Sequence, residues 1–374
     1  MRKKCARLII GASESCADML YATRFFVPDP IAWLEQDGKT TAILSPLEID
    51  RVRRVASIDE LLDSSLLEKK PAVKLRRKPA LIDLVADLLA RRRIRSVSVP
   101  GSFSHADAVA LRKKRIGVSV EQPFFPGREL KSDWEVQQII RAQRQAESGL
   151  ARGLEVLRAS KPGRGSVLVW ARKKLTSEIL RGEIDAAVIR AGGLPANTIV
   201  AGGNQACDPH ERGSGPLKAG SAIILDIFPR DQKSGYFGDL TRTVVRGHAS
   251  DALRNLHQTV LDGQQQVLRS IRPGADGGKL QRGVQDFFVS KGYATRQDKG
   301  RWVGFFHGTG HSLGLEIHEA PRFAATIFKA GQIMTVEPGL YYPGIGGVRI
   351  EDLVLVTDRG IRNLTKVEKF LEVT

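Results

Sequence analysis

The second half of the chain carries β-type segments in which apolar and polar residues alternate, and this pattern limits the possible folds more than any other feature. The segments are TIVAGG, SAIILDIF, GDLTRTVVRG, GQIMTVEPGLYY and GVRIEDLVLVTD, separated by two helical stretches around 251–271 and 278–291. Strands of this kind suit a sheet with one face packed on helices and the other face open to a cavity. We therefore expect an α+β domain built around a cleft.

The first 125 residues alternate strand and helix patterns instead. RLIIGAS predicts a strand, IAWLEQDGKTTAILSP predicts two strands around an Asp37-Gly38 turn, and LEIDRVRRVAS and PALIDLVADLLARRR predict helices. Two prolines and a glycine in EQPFFPGREL (121–130) interrupt both periodicities and indicate a linker. Because 374 residues exceed the size at which one core usually keeps growing, we predict an α/β domain over 1–125 and a second domain over 126–374.

The second domain is predicted to begin with two long helices. The first starts near Lys131, where Ser132 is a candidate N-cap and Glu135, three positions later, completes a capping box. The second is predicted over VLVWARKKLTSEILRGEIDAAVIRAGG, which ends at glycines as helices commonly do.

The formal net charge of +17 raises the question of a nucleic-acid partner. The basic clusters RVRR, KLRRKP, RRRIR and LRKKR all precede residue 116, lie in or beside amphipathic helical patterns, and contain no interleaved aromatic residues. No recognised nucleic-acid motif accompanies them. We interpret them as a solvated basic face and do not expect nucleic-acid binding.

The cysteines and the N-terminus bear on the compartment. Cys5, Cys16 and Cys207 are odd in number and have no metal-ligand spacing, which predicts free thiols in a reducing environment. The apolar part of MRKKCARLIIGAS is too short for a signal-peptide core, and no stretch approaches the roughly 20 apolar residues of a membrane span. A cytoplasmic protein with no membrane contact is expected.

Acidic residues stand at the ends of the apolar strand patterns. Asp226 ends AIIL, Asp239 opens DLTRT, Glu337 follows IMTV, and Glu351 lies two residues after Arg349. Carboxylates crowded in a cleft cannot all ionise unless a cation compensates them. We therefore predict a metal site in which His311 supplies a nitrogen donor. Other acidic and histidine residues are interpreted as surface, capping or structural groups: Asp208, Asp231, Glu316, His105, His248 and His257.

The stretch HGTGHSLGLEIHE (307–319) holds three of the seven histidines. A zincin helix would need Glu after the first histidine, where this chain has Gly308, and further glycines at Gly310 and Gly314 disfavour any helix. The glycine spacing also misses the dinucleotide-binding fingerprint by one residue. A strand or loop that crosses the cleft remains, with alternate histidines exposed to it.

Taken together, LDIF…GDLTRT, HGTGHSLGLEIHE, MTVEPGLYY and GVRIED resemble the pita-bread metallopeptidases, which include aminopeptidase P, prolidase and methionine aminopeptidase. The resemblance covers about residues 130–374 and implies a pita-bread catalytic domain. The preceding segment DMLYATRFFVPDPIAWLEQDGKTTAIL resembles the creatinase-type N-terminal domain of aminopeptidase P and prolidase.

The resemblance implies a site with two divalent metal ions, for which Mn or Co suits the oxygen-rich ligand set and Zn is an alternative. By position, Asp226 corresponds to a ligand of one metal, Asp239 and Glu351 to bridging ligands, and His311 and Glu337 to ligands of the other. The remaining matches imply other roles: Glu337 as proton acceptor, His318 as stabiliser of the tetrahedral intermediate, His210 near the scissile bond, His307 facing the substrate, and Arg349 and Tyr341 lining or supporting a proline pocket.

The implied activity is hydrolysis of the Xaa-Pro bond at a peptide N-terminus, by an enzyme that is commonly a homodimer in this family. Two alternatives stay open: the same metal chemistry on a non-proline peptide or another amide, and a non-catalytic protein that binds RNA or protein through its basic surface. One departure from the family pattern is visible, since the segment between Asp226 and Asp239 holds about two extra residues, and Asp231 within it is a weak competitor as ligand.

Overall fold

The computed structural model describes residues 6–68 and 77–374. The chain divides into two compact units, Met1–Pro126 and Gly127–Thr374. The described strands of the first unit are β1 (Ala6–Gly11), β2 (Ile31–Gln36), β3 (Lys39–Leu44), β4 (Glu60–Asp63), β5 (Ser96–Pro100) and β6 (Gly117–Glu121). Its described helices are α1 (Ala17–Thr23), α2 (Pro46–Val55), α3 (Ser64–Leu67), α4 (Leu81–Arg91) and α5 (His105–Lys113).

The N-terminal unit is built on a mixed sheet with strand order β4-β3-β2-β1-β5-β6. Strands β2 and β3 form a hairpin, because Asp37 and Gly38 both have positive φ (52° and 80°) and this turn geometry matches the strand twist. Leu8 of β1 packs in a core cluster with α4 and α5, and its neighbour Ile9 packs in a second cluster with α1 and α2. Helices therefore cover both faces of the sheet, which is the α/β arrangement that the sequence predicts.

The C-terminal unit contains both long helices and many short strands. Its helices are α6 (Asp133–Ala159), α7 (Ser177–Arg190), α8 (Asp251–Ser270) and α9 (Gly277–Ser290). Its first strands are β7 (Lys161–Pro162), β8 (Leu168–Trp170), β9 (Lys173–Lys174), β10 (Gly193–Leu194), β11 (Ile199–Gly202), β12 (Ile223–Ile227), β13 (Arg230–Asp231) and β14 (Leu240–Arg246). The later ones are β15 (Arg296–Asp298), β16 (Arg301–Val303), β17 (His311–Ser312), β18 (Glu319–Arg322), β19 (Ile333–Val336), β20 (Gly339–Tyr342), β21 (Gly346–Arg349), β22 (Asp352–Thr357), β23 (Gly360–Asn363) and β24 (Glu372–Val373).

The predicted start of α6 is confirmed, whereas the predicted start of α7 is not. Helix α6 begins with the predicted capping box, since Ser132 Oγ accepts from the Glu135 N–H and the Glu135 carboxylate accepts from the Ser132 N–H. The predicted start of the second helix is wrong, because residues 168–174 form the β8–β9 hairpin and α7 begins only after Thr176. Ala171 and Arg172 make this turn with positive φ, although neither residue is a glycine.

The strands that carry the acidic residues divide between separate sheets. One sheet has the order β11-β12-β14-β24, a second has the order β18-β17-β19-β22-β23, and β20 and β21 form a two-stranded sheet. The first packs on α6 and α7 in one core cluster, and the second shares a core cluster with α8 and α9. Alternation along a strand reports that one face is buried, but it does not report which strands are neighbours.

The basic clusters are solvent-exposed at most of the positions that the structure describes, including Arg53, Arg93 and Lys114, and residues 74–76 of KLRRKP lie outside the described range. Cys207 is a free thiol, whereas Cys5 lies outside the described range. Within the described residues, every helix is too short or too polar to cross a bilayer.

Candidate metal centre

A cavity of about 540 Å³ in the C-terminal unit collects nearly all of the residues singled out from the sequence. Its lining includes Asp226, Asp239, His311, Glu337, Glu351, His210, His307, His318 and Arg349. Tyr341 does not line it but lies fully buried behind it. Apolar side chains complete the lining: Ile199, Phe228, Phe306 and Ile317.

Strand ends from different sheets bring these side chains together. Asp226 lies near the end of β12, and Asp239 directly precedes the paired strand β14. His311 is on β17, Glu337 directly follows β19, and Glu351 occupies the break between β21 and β22. Apolar residues of β12, β14, β19 and β22 pack into the cores, so the polar residues at the ends of these strands are left facing the cavity.

Three donors form the centre of the cluster. One ligand atom each from Asp239, His311 and Glu351 can be chosen so that all lie within 4.8 Å of one another. His311 Nε2 is 3.5 Å from Asp239 Oδ2 and 3.2 Å from Glu337 Oε1. Distances of this size between a nitrogen and several carboxylate oxygens suit ligands that share a cation.

The pKa values of the clustered carboxylates are shifted in opposite directions. Burial raises the pKa of Asp239 and of Glu351 well above the usual values, and the negative charges of neighbouring carboxylates add to the rise. Burial would also raise the pKa of Glu337, but the hydrogen bond and charge of His311 outweigh it and hold that pKa at about 2. Without a compensating cation, the cluster therefore cannot carry all of its negative charges.

Two buried carboxylate oxygens support the fit of a metal to this site. Asp226 Oδ1 and Glu351 Oε1 are buried and find no hydrogen-bond partner among the described residues. Buried polar atoms are normally paired, so an orphaned oxygen needs another partner. Hard divalent cations prefer carboxylate oxygens, and imidazole nitrogen completes the donor set for Mn, Co or Zn. The residues present fit a divalent metal centre.

Arg349, Tyr341 and His307 form a chain of hydrogen bonds beside the carboxylates. Arg349 donates to Asp226 Oδ2 (2.6 Å) and to the Tyr341 hydroxyl (3.1 Å). His307 Nδ1 lies 2.8 Å from the Gly308 carbonyl and therefore carries the proton, so Nε2 accepts from the Tyr341 hydroxyl at 2.8 Å. Burial lowers the pKa of His307 to about 4, which keeps this imidazole neutral.

The other two histidines occupy different environments. The His318 ring meets the His311 ring edge-on, with centroids 4.4 Å apart. Burial and the neighbouring His311 lower the pKa of His318 below its usual value, which favours the neutral form. His210 lies in an exposed loop that contributes to the cavity lining.

In the longer segment between Asp226 and Asp239, Phe228 lines the cavity and the residues around Asp231 form a turn. Asp231 is buried, against the expectation of a surface group, and accepts from Gln145 Nε2 (2.7 Å) and from the Ser234 N–H (2.8 Å). It does not line the cavity and acts as a turn-stabilising residue. Asp208, also predicted as a surface residue, is exposed but contributes to the cavity lining.

Two buried glutamines near the ligands were missed by the sequence analysis. Gln143 of α6 bonds to the backbone of Asp239, and Gln264 of α8 bonds to the carbonyls of Val336 and Ile350. Their signal in the sequence is weak, because other glutamines accompany them: α6 also buries Gln138 and Gln145, and Gln265 and Gln266 directly follow Gln264 in α8.

Gly310, directly before His311, should not tolerate a side chain. A Cβ at this position would lie 2.0 Å from the Thr335 carbonyl oxygen, so Gly310→Ala must displace the strand that carries His311. We expect this variant to bind Mn²⁺ at least 10-fold more weakly in a calorimetric titration, a loss typical of disturbed ligand support. Gly308→Ala is the matched control, because its nearest contact would be an ordinary 3.7 Å. Equal affinities in the two variants would contradict the expectation.

The metal-free protein should lose stability as pH rises through the raised pKa values of Asp239, Glu351 and His311. The pKa values of Asp239, Glu351 and His311 are raised in the folded state, so the native state binds extra protons and loses this advantage as pH rises through the folded values. The lowered pKa of His307 acts in the opposite direction only between about 4 and 6.5. Each proton contributes about 1.4 kcal/mol per pH unit. The free energy of unfolding would be measured in urea at several pH values for metal-free wild type and for Asp239→Asn/Glu351→Gln. It should change less with pH in the variant.

Comparisons with known proteins identify the family of the chain. A model of metallopeptidase family M24 matches residues 137–358, more than half of the chain. The Xaa-Pro dipeptidase of Pyrococcus furiosus is 35% identical over 179 residues, which are 47% of this chain and 49% of that protein. In such matches the chain spans about half the length of the curated relatives.

Solved structures resemble nearly the whole chain. A prolidase from Pyrococcus horikoshii OT3 superposes with a TM-score of 0.79 at 24% identity, covering 98% of this chain and 95% of that one. An X-Pro aminopeptidase from Thermotoga maritima MSB8 superposes with a TM-score of 0.83 at 21% identity, covering 99% and 97%. This likeness confirms the predicted fold class, an α/β unit followed by a pita-bread unit. On the family match, the chain belongs to metallopeptidase family M24.

Proposed function

We propose that this protein is a two-metal peptidase that hydrolyses the Xaa-Pro bond at the N-terminus of peptides. The observation that carries the proposal is the convergence of four carboxylates and His311 on one cavity, beside a set of apolar side chains: Ile199, Phe228, Phe306 and Ile317. The similarity to a Pyrococcus furiosus Xaa-Pro dipeptidase supports the proline preference.

In this proposal the ligands divide as the family resemblance implies. Asp226 would hold one cation, His311 and Glu337 would hold the other, and Asp239 and Glu351 would be ligands shared by both. Asp226 Oδ1 and Glu351 Oε1, which have no hydrogen-bond partner among the described residues, would be ligand atoms. When bound, divalent cations lower the pKa of a water from 15.7 to about 7 and polarise the scissile carbonyl.

Glu337 is the proposed proton acceptor. Its pKa of about 2 leaves the carboxylate ionised at neutral pH, so it can take a proton from the attacking water and deliver it to the leaving nitrogen. His318 is proposed to donate a hydrogen bond to the developing oxyanion, since its lowered pKa makes it a neutral donor beside His311. His210 lies in the exposed part of the lining, where it can contact the peptide near the scissile bond.

Substrate orientation is assigned to the hydrogen-bonded chain from Arg349 through Tyr341 to His307. The fixed proton on His307 Nδ1 keeps Nε2 as an acceptor, so the ring position is defined before a peptide binds. A proline nitrogen carries no N–H and cannot join a strand-like hydrogen-bond ladder. The apolar side chains of Phe228, Phe306 and Ile317 offer the ring a packing surface instead.

A substrate panel tests the proposal directly. Protein loaded with Mn²⁺ would be offered Ala-Pro, Ala-Pro-Ala and Ala-Ala-Ala, with release of alanine measured by chromatography. We expect turnover of at least one proline peptide and at least 10-fold slower turnover of Ala-Ala-Ala, since a mismatch in one apolar pocket typically costs 10-fold or more. Preference for Ala-Ala-Ala would favour the non-proline alternative, and the absence of any turnover would overturn the proposal.

The finer expectations belong to the same proposal. Mn or Co is the proposed metal pair, with Zn as the alternative, because the donors are four carboxylates and one imidazole. We also propose a homodimer that acts in the cytoplasm and does not bind nucleic acid. The free thiol of Cys207 supports a reducing compartment. Elemental analysis of protein purified without chelators and its mass by light scattering test the metal and the dimer.

A further inference from the structure

Gln264 of helix α8 makes an unusual contact with two strand ends. Its side chain is fully buried, and its Nε2 donates to the Val336 carbonyl (2.9 Å) and to the Ile350 carbonyl (3.0 Å). These residues directly precede Glu337 and Glu351. One amide nitrogen therefore ties together the backbones that present two candidate metal ligands.

The orientation of this amide is fixed by its surroundings. Gln264 Oε1 is buried and has no hydrogen-bond partner among the described residues. Rotating the amide by half a turn would place this oxygen against the Val336 and Ile350 carbonyls, which are also acceptors and would repel it. The side chain thus satisfies two backbone carbonyls and leaves its own oxygen unpaired. A buried unpaired acceptor costs free energy, so the contact with the two strands must offset this cost.

Gln143 of helix α6 makes a comparable contact with a third ligand. Its Oε1 accepts from the Asp239 N–H (2.8 Å), and its Nε2 donates to the Asp239 carbonyl (2.9 Å). Gly238 allows this approach, because a Cβ there would lie 2.5 Å from the backbone nitrogen of Gln143. Both backbone groups of Asp239 are therefore held by a single side chain.

We propose that Gln143 and Gln264 are positioning residues that set the separation of Asp239, Glu337 and Glu351 before a cation binds. The inference rests on the proposed metal site. Carboxylates brought together without a cation repel one another, and a backbone that yielded to this repulsion would have to be reorganised on binding. Two buried amides, each anchored on a helix, prevent that movement.

The test uses the full chain, stripped of metal with a chelator, and Mn²⁺ alone as the probe. Gln264→Met and Gln143→Met remove the amides while keeping the volume. The matched control is Gln332→Met, since Gln332 is equally buried and its amide contacts Lys329 and Glu129 rather than a ligand backbone. Calorimetric affinity for Mn²⁺, the visible absorption of bound Co²⁺ and the unfolding temperature of the metal-free forms would be compared.

We expect Gln264→Met and Gln143→Met each to bind Mn²⁺ 10- to 100-fold more weakly than Gln332→Met, the usual loss when the support of metal ligands is removed. Their Co²⁺ absorption should also change, because the bands report ligand geometry, while their metal-free unfolding temperatures stay near that of Gln332→Met. If Gln264→Met does not fold, Gln143→Met decides the question alone.

Affinities equal to that of Gln332→Met would overturn the inference, and so would a wild-type chain that binds no Mn²⁺. The proposed function fails separately: a wild type that binds Mn²⁺ but cleaves no proline peptide would refute the activity and leave the positioning role standing. Conversely, a wild type that cleaves such peptides while the two variants keep full metal affinity would refute only the positioning role.

Discussion

Removal of metal with a chelator is expected to abolish cleavage of Ala-Pro-Ala, and Mn²⁺ or Co²⁺ to restore it. The effect should be the largest available, because an unassisted water with a pKa of 15.7 supplies roughly 10⁸-fold less hydroxide at neutral pH than one with a pKa of about 7. The side chains cannot substitute: Glu337 accepts a proton but activates water only weakly at a pKa of about 2.

Rebinding of metal should also raise the thermal stability of the protein, which can be measured without any substrate. A ligand that binds only the folded state at 100 times its Kd stabilises it by about 2.7 kcal/mol. Thermal unfolding in the presence of Mn²⁺ should therefore move to higher temperature in wild type and much less in Asp239→Asn/Glu351→Gln. Full activity in protein shown by elemental analysis to lack metal would refute a metal-dependent mechanism.

The second large effect is expected for Glu337→Gln, which should lower kcat by about 10²- to 10⁴-fold, the usual contribution of a general base. The amide keeps an oxygen near His311 but cannot accept a proton. Because Glu337 is also a proposed ligand, metal affinity will fall as well, so the assay must be run over a range of Mn²⁺ concentrations. A deficit in kcat that persists at saturating Mn²⁺ identifies the proton-transfer role.

Glu316→Gln serves as the control for this variant. Glu316 lies in the same histidine-rich segment, but it is exposed, pairs with Arg128 at 2.7 Å, and does not line the cavity. Its kcat should stay within about two-fold of wild type, since surface substitutions away from a site have small effects. If high Mn²⁺ restores Glu337→Gln to wild-type kcat, the carboxylate acts only as a ligand.

Most residues of the candidate site could be predicted from local patterns in the sequence. Asp226 and Glu337 each follow an apolar run that had to become a buried strand, so their side chains were expected at strand ends facing a cleft. His311 could be singled out because the glycines around it excluded a helix. The family resemblance added the pairing of ligands with cations, which no local pattern contains.

What could not be predicted depends on contacts between distant residues. Gln143 meets Asp239 across 96 positions, and Gln264 meets Val336 across 72, so neither amide has a local signature. The β8–β9 turn at Ala171 and Arg172 uses positive φ at residues that rarely adopt it, which left VLVWARKKL looking helical. The division of the strands between sheets could not be predicted, because alternating apolar and polar residues indicate which face of a strand is buried but not which strand lies next to it.

The division of the candidate ligands between two sheets has a consequence for the loss of a bound cation. Asp226 and Asp239 are carried by the sheet that packs on α6 and α7, whereas His311 and Glu337 are carried by the sheet associated with α8 and α9. A cation held by both groups would bridge two hydrophobic cores. Loss of the cation would therefore remove a link between the two cores of this unit.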